Sequence, residues 1–249
     1  MIEIGTELLA GIECLHATPA GKRQQALPTI IFYHGFSSSK EVYSYFAVAL
    51  AQAGFRVVLP DADLHGARYD GDTDYRLAHF WEILRSNIDE LPQLETALRQ
   101  QDLIAEGQFG VAGASMGGMT ALGAMARYPQ INSVACMMGS GYFSALSHSL
   151  FPPLEANTPE QKQALAQRLA PLADYDVSHQ LEKLANRPLL LWHGEADEVV
   201  PAAETVRLEK ALREASLDQH LTCLTEKGIG HRITPPALTA IVAFFKHHL

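Results

Sequence analysis

The chain has 249 residues, of which 47% are hydrophobic and 19% charged, a length and balance suited to one α/β domain around a single sizeable core. Nineteen Lys and Arg against 28 Asp and Glu leave a net charge of −9, which argues against a phosphate-tracking nucleic-acid surface and against an anionic-membrane partner. No apolar run reaches the ~18 residues needed to cross a bilayer, and the three cysteines, Cys14, Cys136 and Cys223, are too widely spaced for a disulfide framework or a zinc site.

The opening residues Met1 to Glu7 carry two acids and lack the basic segment that begins a secretory signal, so a cytoplasmic location is expected. Ile2 to Ala17 alternates weakly and predicts an antiparallel edge hairpin. Thr29 to Tyr33 reads as the first buried strand. Tyr45, Phe46, Val48, Ala49 and Leu50 mark a helix that Gly54 can end. A strand at Arg56 to Leu59 follows, and then a helix whose three- and four-residue steps run through Leu77, Phe80, Trp81, Leu84, Ile88 and Leu91.

Phe109 to Ala112 is the next strand, Met116 to Tyr128 the next helix, and Val134 to Met138 a further strand. Tyr142 to Ala185 interrupts the rhythm with Pro152, Pro153 and a separately capped helix, and predicts an inserted lid at about 142–185. Within it Thr158, Pro159 and Gln161 complete a capping box, and Leu165, Leu169 and Leu172 share the face that should pack on the body. Phe143, Leu146, Leu150, Phe151 and Leu154 are candidates for lining a pocket or for packing the lid onto the body. Leu189 to Trp192, Leu221 to Leu224 and a terminal helix over Pro236 to Leu249 complete the order. Short apolar strands alternating with helices predict a mostly parallel sheet covered on both faces, with residues 1–249 forming one domain.

Gly113-Ala114-Ser115-Met116-Gly117 places a G-x-S-x-G between a strand and a helix, the context in which the motif forms a nucleophile elbow. Glycines flank the serine for steric reasons, since a Cβ there would crowd the neighbouring strand or helix. Such a serine needs a base, and the chain order serine, acid, histidine selects among eleven histidines. His220 would enter its strand at the wrong edge of the sheet, and His247 and His248 sit at the end of the last helix. His231, in a Gly-Ile-Gly-His loop leaving the last strand, remains.

The acid belongs just past the preceding strand, where Glu195, Asp197 and Glu198 compete. Asp197 is the choice, its short side chain following a Gly-led turn, with the two glutamates expected in water. An oxyanion needs two preorganised N–H donors. Met116 supplies one at the start of its helix, and Phe36, after His34-Gly35, supplies the other unless Ser37 to Ser39 simply form a turn and N-cap. His34, His65 and His193 fall at strand ends, where side chains can orient loops or line the mouth of a site.

The His34-Gly35-Phe36 loop, Gly113 to Gly118, Gly139-Ser140-Gly141-Tyr142-Phe143, Leu191-Trp192-His193-Gly194 with Asp197, and Gly230-His231-Arg232 resemble the dienelactone-hydrolase and prolyl-oligopeptidase-like branch of the α/β-hydrolases over the whole length. That resemblance implies an α/β-hydrolase fold and hydrolysis of short-chain acyl esters, small-molecule substrates, with no metal or organic cofactor. Many relatives carry Gly where this chain has Leu64, leaving the shape of that loop open, and the serine at 115 replaces the cysteine of dienelactone hydrolases proper, so a lactone substrate does not carry over. A thioesterase or peptidase would use the same triad, and a non-catalytic binding protein could keep the same fold.

Overall fold

A computed structural model describes residues 1–249, all of the chain. Eight strands form one sheet: β1 (Ile2–Leu9), β2 (Ile12–Pro19), β3 (Leu27–Tyr33), β4 (Arg56–Pro60), β5 (Ile104–Ala114), β6 (Ser133–Met137), β7 (Leu189–Gly194) and β8 (Leu221–Glu226). Their order is β1-β2-β4-β3-β5-β6-β7-β8. The β1–β2 and β2–β4 pairs are antiparallel and all the others parallel, so the expected edge hairpin adjoins the expected parallel sheet.

Strand residues alternate between two cores, as the two-residue period of a strand requires. Ile31, Tyr33, Val58, Val111, Val134, Cys136, Leu189 and Leu191 face one side. There they meet α3 (Phe80–Arg99), α4 (Met116–Arg127) and α8 (Ala203–Glu214) through Leu91, Leu94, Leu98, Ala121, Leu122, Leu208 and Leu212. Ile30, Phe32, Val57, Leu59, Ala112, Ala114, Ala135, Met137, Leu190 and Trp192 face the other. They meet α1 (Ser44–Gln52) and α9 (Pro235–His248) through Phe46, Leu50, Ile241, Phe244 and Phe245.

The caps follow the sequence closely. After α1, Gly54 takes φ +112; its N–H reaches Ala51 O at 3.1 Å and the Phe55 N–H reaches Leu50 O at 3.2 Å, the paired closure that a left-handed glycine permits. The helix expected through Leu77 to Leu91 is instead two, α2 (Thr73–Ala78) and α3. Asp72 caps the first by accepting the Tyr75 N–H at 2.8 Å, and His79 at φ −116, ψ 19 breaks the path between them. Hydrophobic spacing alone cannot register such a break. Its consequence is that Leu77 faces solvent at 39% exposure while Phe80 and Trp81 are buried.

Between β6 and β7 the chain adds α5 (Phe143–Leu146), α6 (Pro159–Leu169), a short 3₁₀ turn and α7 (Glu182–Ala185). Both bonds of the capping box form: the Gln161 N–H donates to Thr158 Oγ1 at 3.2 Å and the Thr158 N–H to Gln161 Oε1 at 3.0 Å. Leu165, Leu169 and Leu172 are buried in a third cluster with Phe80, Trp81, Ile88, Met116 and Met119, so the segment is packed on α3 and the start of α4. Arg168 of α6 donates to Ala78 O at 2.8 Å, a carbonyl freed by the end of α2. No helix is long and apolar enough to cross a membrane.

Trp81 joins the two sides of this contact, its ring buried in the third cluster and its indole N–H donating to Leu150 O at 3.0 Å. Trp81→Ala is expected to lower the unfolding free energy by about 3–5 kcal/mol, read from the urea midpoint at unchanged slope. A loss under about 1 kcal/mol would show that the segment packs without it.

Candidate active site

Strand β3 lies between β4, which follows it in sequence, and β5, which comes after that. The chain therefore winds away on opposite sides of β3, and at such a switch point the loops leaving two adjacent parallel strands diverge and open a crevice. The loop after β3 carries Phe36 and the turn after β5 carries Ser115.

The turn at Ser115 is tight. Ser115 has φ 57 and ψ −120, a left-handed conformation that costs a side chain of its type energy, and its N–H is held by Met137 O at 2.9 Å. A Cβ on Gly113 would stand 2.2 Å from Gly117 O, and one on Gly117 would stand 2.0 Å from Tyr33 O. Glycine at 113 and 117 thus lets helix α4 sit against the ends of β3 and β5. The Met116 N–H is the first of α4 and has no partner within the helix, and the Phe36 N–H donates to no other protein group.

Asp197 follows β7 with its side chain fully buried. Its Oδ1 accepts the Val199 and Val200 N–H groups at 2.9 and 3.0 Å, and its Oδ2 lies 2.7 Å from His231 Nδ1. Nδ1 therefore carries the proton, leaving Nε2, 2.8 Å from Ser115 Oγ, as the acceptor of the serine hydroxyl. The acid and histidine loops meet backbone to backbone: the Ala196 N–H donates to Ile229 O at 2.8 Å, and a Cβ on Gly194 would lie 2.4 Å from that oxygen. Glu195 and Glu198 are exposed, Glu195 accepting from Thr225 Oγ1 at 2.8 Å.

The three strand-end histidines do not line the mouth; all are 1% exposed or less. His193 sits behind the acid, its Nδ1 2.7 Å from Thr205 Oγ1, and its Nε2 2.8 Å from Val200 O and 3.2 Å from Asp197 Oδ2. Burial pushes its pKa down, so the neutral ring donates from Nε2 toward both oxygens and accepts at Nδ1. Lys40, which sequence reasoning passed over, is 1% exposed. Its Nζ lies 2.6 Å from Asp61, 2.7 Å from Glu13 and 2.8 Å from Glu41, and these carboxylates hold its pKa up against the cost of burial. An all-carboxylate cage around one lysine has no one-dimensional signature, because its members come from three separate segments.

A cleft of about 150 Å³ opens at the serine, lined by Phe36, Phe80, Leu150, Phe151, Val199 and Val200 beside Ser115 and His231. Of the lid residues expected to line a pocket, Leu150 and Phe151 do so. Phe143 and Leu146 are buried in the third cluster and Leu154 is 37% exposed. Phe80 and the two valines are wall residues with no signature in the sequence, because each reads there as ordinary core or turn. A larger cleft of about 510 Å³ between Tyr142 and Arg207 is lined chiefly by polar and charged residues and holds none of the serine, acid and histidine.

Residues 42–249 match the model of the prolyl oligopeptidase family. The chain belongs to that family. Among curated relatives, Esterase YjfP of Escherichia coli (strain K12) is 52% identical over 249 residues, covering 100% of both chains. YitV of Bacillus subtilis (strain 168) is 36% identical over 257 residues, again covering 100% of both. Among solved structures, TT1662 from Thermus thermophilus superposes with a TM-score of 0.79 at 23% identity, over 99% of this chain and 98% of that one. The family's fold and the α/β-hydrolase fold expected from the sequence are thus the same.

Proposed function

We propose that this family member is a serine esterase acting on small acyl esters of short chain length, with Ser115 as nucleophile, His231 as general base and acid, and Asp197 orienting the imidazole. The observation that carries the reading is the continuous chain of contacts from buried Asp197 through His231 to Ser115 Oγ, at 2.7 and 2.8 Å. The name of the 52% identical relative favours an ester over a thioester or peptide substrate, and an intact triad argues against a purely binding role.

In the cycle, Ser115 Oγ attacks the ester carbonyl while His231 Nε2 takes its proton, and the tetrahedral intermediate's oxyanion is held by the Phe36 and Met116 N–H groups. His231 returns the proton to the leaving alkoxide. Water then repeats the sequence on the acyl-enzyme, freeing the acid and Ser115. The developing imidazolium is stabilised by a carboxylate that water does not reach, where charge interacts more strongly than at the surface. The single domain of residues 1–249 keeps its 142–185 segment over the cleft as a lid, and a cytoplasmic location belongs to the same reading.

Ser115→Ala removes only the nucleophilic oxygen and is expected to leave the fold intact while kcat falls by about 10⁶. Labelling by a fluorophosphonate should vanish with it, and a folded variant keeping a tenth of the wild-type rate would exclude Ser115 as nucleophile. Asp197→Asn should cost about 10³–10⁴ in kcat by favouring the wrong tautomer of His231. Glu195→Gln and Glu198→Gln should be mild, so a crippling loss at either would move the acid's role to it.

A p-nitrophenyl ester series from acetate to palmitate tests the substrate class. Each methylene that enters the cleft is worth up to ~0.8 kcal/mol, about fourfold in kcat/KM. The rate should climb over the first few acyl carbons and fall steeply once the aromatic wall is reached; an optimum at long chains would exclude the capped site.

A further inference from the structure

Phe36 stands between two peptide units, and each is gripped by a different buried histidine. The Gly35 carbonyl accepts from His34 Nδ1 at 2.8 Å. Because a trans peptide points its C=O and N–H to opposite edges, fixing that carbonyl fixes the direction of the Phe36 N–H. On the other side the Ser37 N–H donates to His65 Nε2 at 2.9 Å, holding Ser37 at φ 60, a conformation unfavourable for serine. The His65 ring also meets the Phe36 ring edge-on at 5.2 Å.

Both imidazoles are anchored from behind by the loop after β4. His34 Nε2 accepts the Ala62 N–H at 3.0 Å, and His65 Nδ1 donates to Asp63 O at 2.7 Å. Each ring therefore bears its proton on Nδ1 and a bare lone pair on Nε2. The two loops are already joined without them, since Asp61 takes the Lys40 N–H, the Lys40 ammonium and the Ala67 N–H. What the histidines add is the orientation of the peptides on either side of Phe36.

We propose that His34 and His65 are paired positioning residues, neutral imidazoles of matching tautomer that hold the Phe36 N–H in place for the oxyanion. This rests on the assignment of Phe36 as an oxyanion donor. Protonation would turn either Nε2 from acceptor to donor and set it against a backbone N–H. Burial opposes this, lowering the His34 pKa and taking that of His65 to about 4. The charged groups facing the pair are Asp61, Glu41 and Lys40 around His34, and Arg76 and Asp61 around His65. With folded values below the unfolded one, the clamp's contribution is whole above the unfolded imidazole range and is lost as pH falls toward 4.

The test compares His65→Leu with His65→Gln, whose Oε1 can stand where Nε2 accepts, and His34→Leu with His34→Asn, whose Nδ2 can stand where Nδ1 donates. For a short-chain p-nitrophenyl ester, the leucine variants are expected to lose about 10²–10³ in kcat, the cost of one misplaced oxyanion donor, with KM little changed. The amide variants should recover at least about tenfold of that loss. Equal kcat for His65→Leu and His65→Gln, or a loss confined to KM, would overturn the clamp.

Should a leucine variant fail to fold, ¹⁵N-histidine spectra of the wild-type protein decide. Nδ1–H tautomers at both rings near pH 7 support the proposal, and an Nε2–H tautomer at either overturns it. An active Ser115→Ala enzyme would overturn the assignment beneath, whereas Ser115-dependent hydrolysis indifferent to His65→Leu overturns the clamp alone.

Discussion

The site depends on a backbone approach closer than any side chain permits. Helix α4 starts where Gly117 lies against the Tyr33 carbonyl and Gly113 against Gly117 itself, and this approach forces Ser115 into its left-handed turn and aims α4's first N–H at the crevice. The parallel register that sets Tyr33 beside Gly113 brings the loops after β3 and β5 side by side. One steric constraint thus places the serine and the Met116 N–H, and brings the Phe36 loop beside them. The strain at Ser115 persists because the sheet and helix on either side leave the chain no alternative path.

Around that turn, polar groups are taken out of water in stages. Asp197 is fully buried and receives two backbone N–H groups besides the imidazoles of His231 and His193, while His231 keeps some exposure at 20%. Such a carboxylate would be costly to bury alone; its donors offset the loss of hydration. The Lys40 cage and the neutral histidines 34 and 65 apply the same rule on the opposite side of the crevice. Loops with little regular structure gain rigidity there through polar contacts that solvent cannot replace.

Much of this was legible in one dimension, for identifiable reasons. Strands β3 to β7 announce themselves because a parallel sheet covered on both faces demands unbroken apolar runs. Ser115, Asp197 and His231 could be singled out because the elbow has a steric signature and the partners a fixed chain order. The α2–α3 break escaped notice because its cause is a local backbone turn at His79 within an otherwise continuous periodicity. Phe80, Val199 and Val200 escaped as pocket walls because apolar residues look alike whether they face a core or a cleft. Leu64 is a different case: it adopts φ 56, a left-handed conformation unfavourable for leucine, while its side chain packs against the third cluster.

The wall of the cleft has a feature of its own. Phe36, Phe80 and Phe151 form a closed triangle of rings with centroids 4.9 to 5.0 Å apart, each from a different segment: the loop after β3, helix α3 and the insertion. None of these segments carries Ser115, Asp197 or His231. The shape of the cleft can therefore be altered through α3 or the insertion while the Asp197–His231–Ser115 contacts stay as they are. Because the three rings touch one another, a change at one is felt by the other two, so the wall of the cleft responds as a unit to a substitution on any of the three segments.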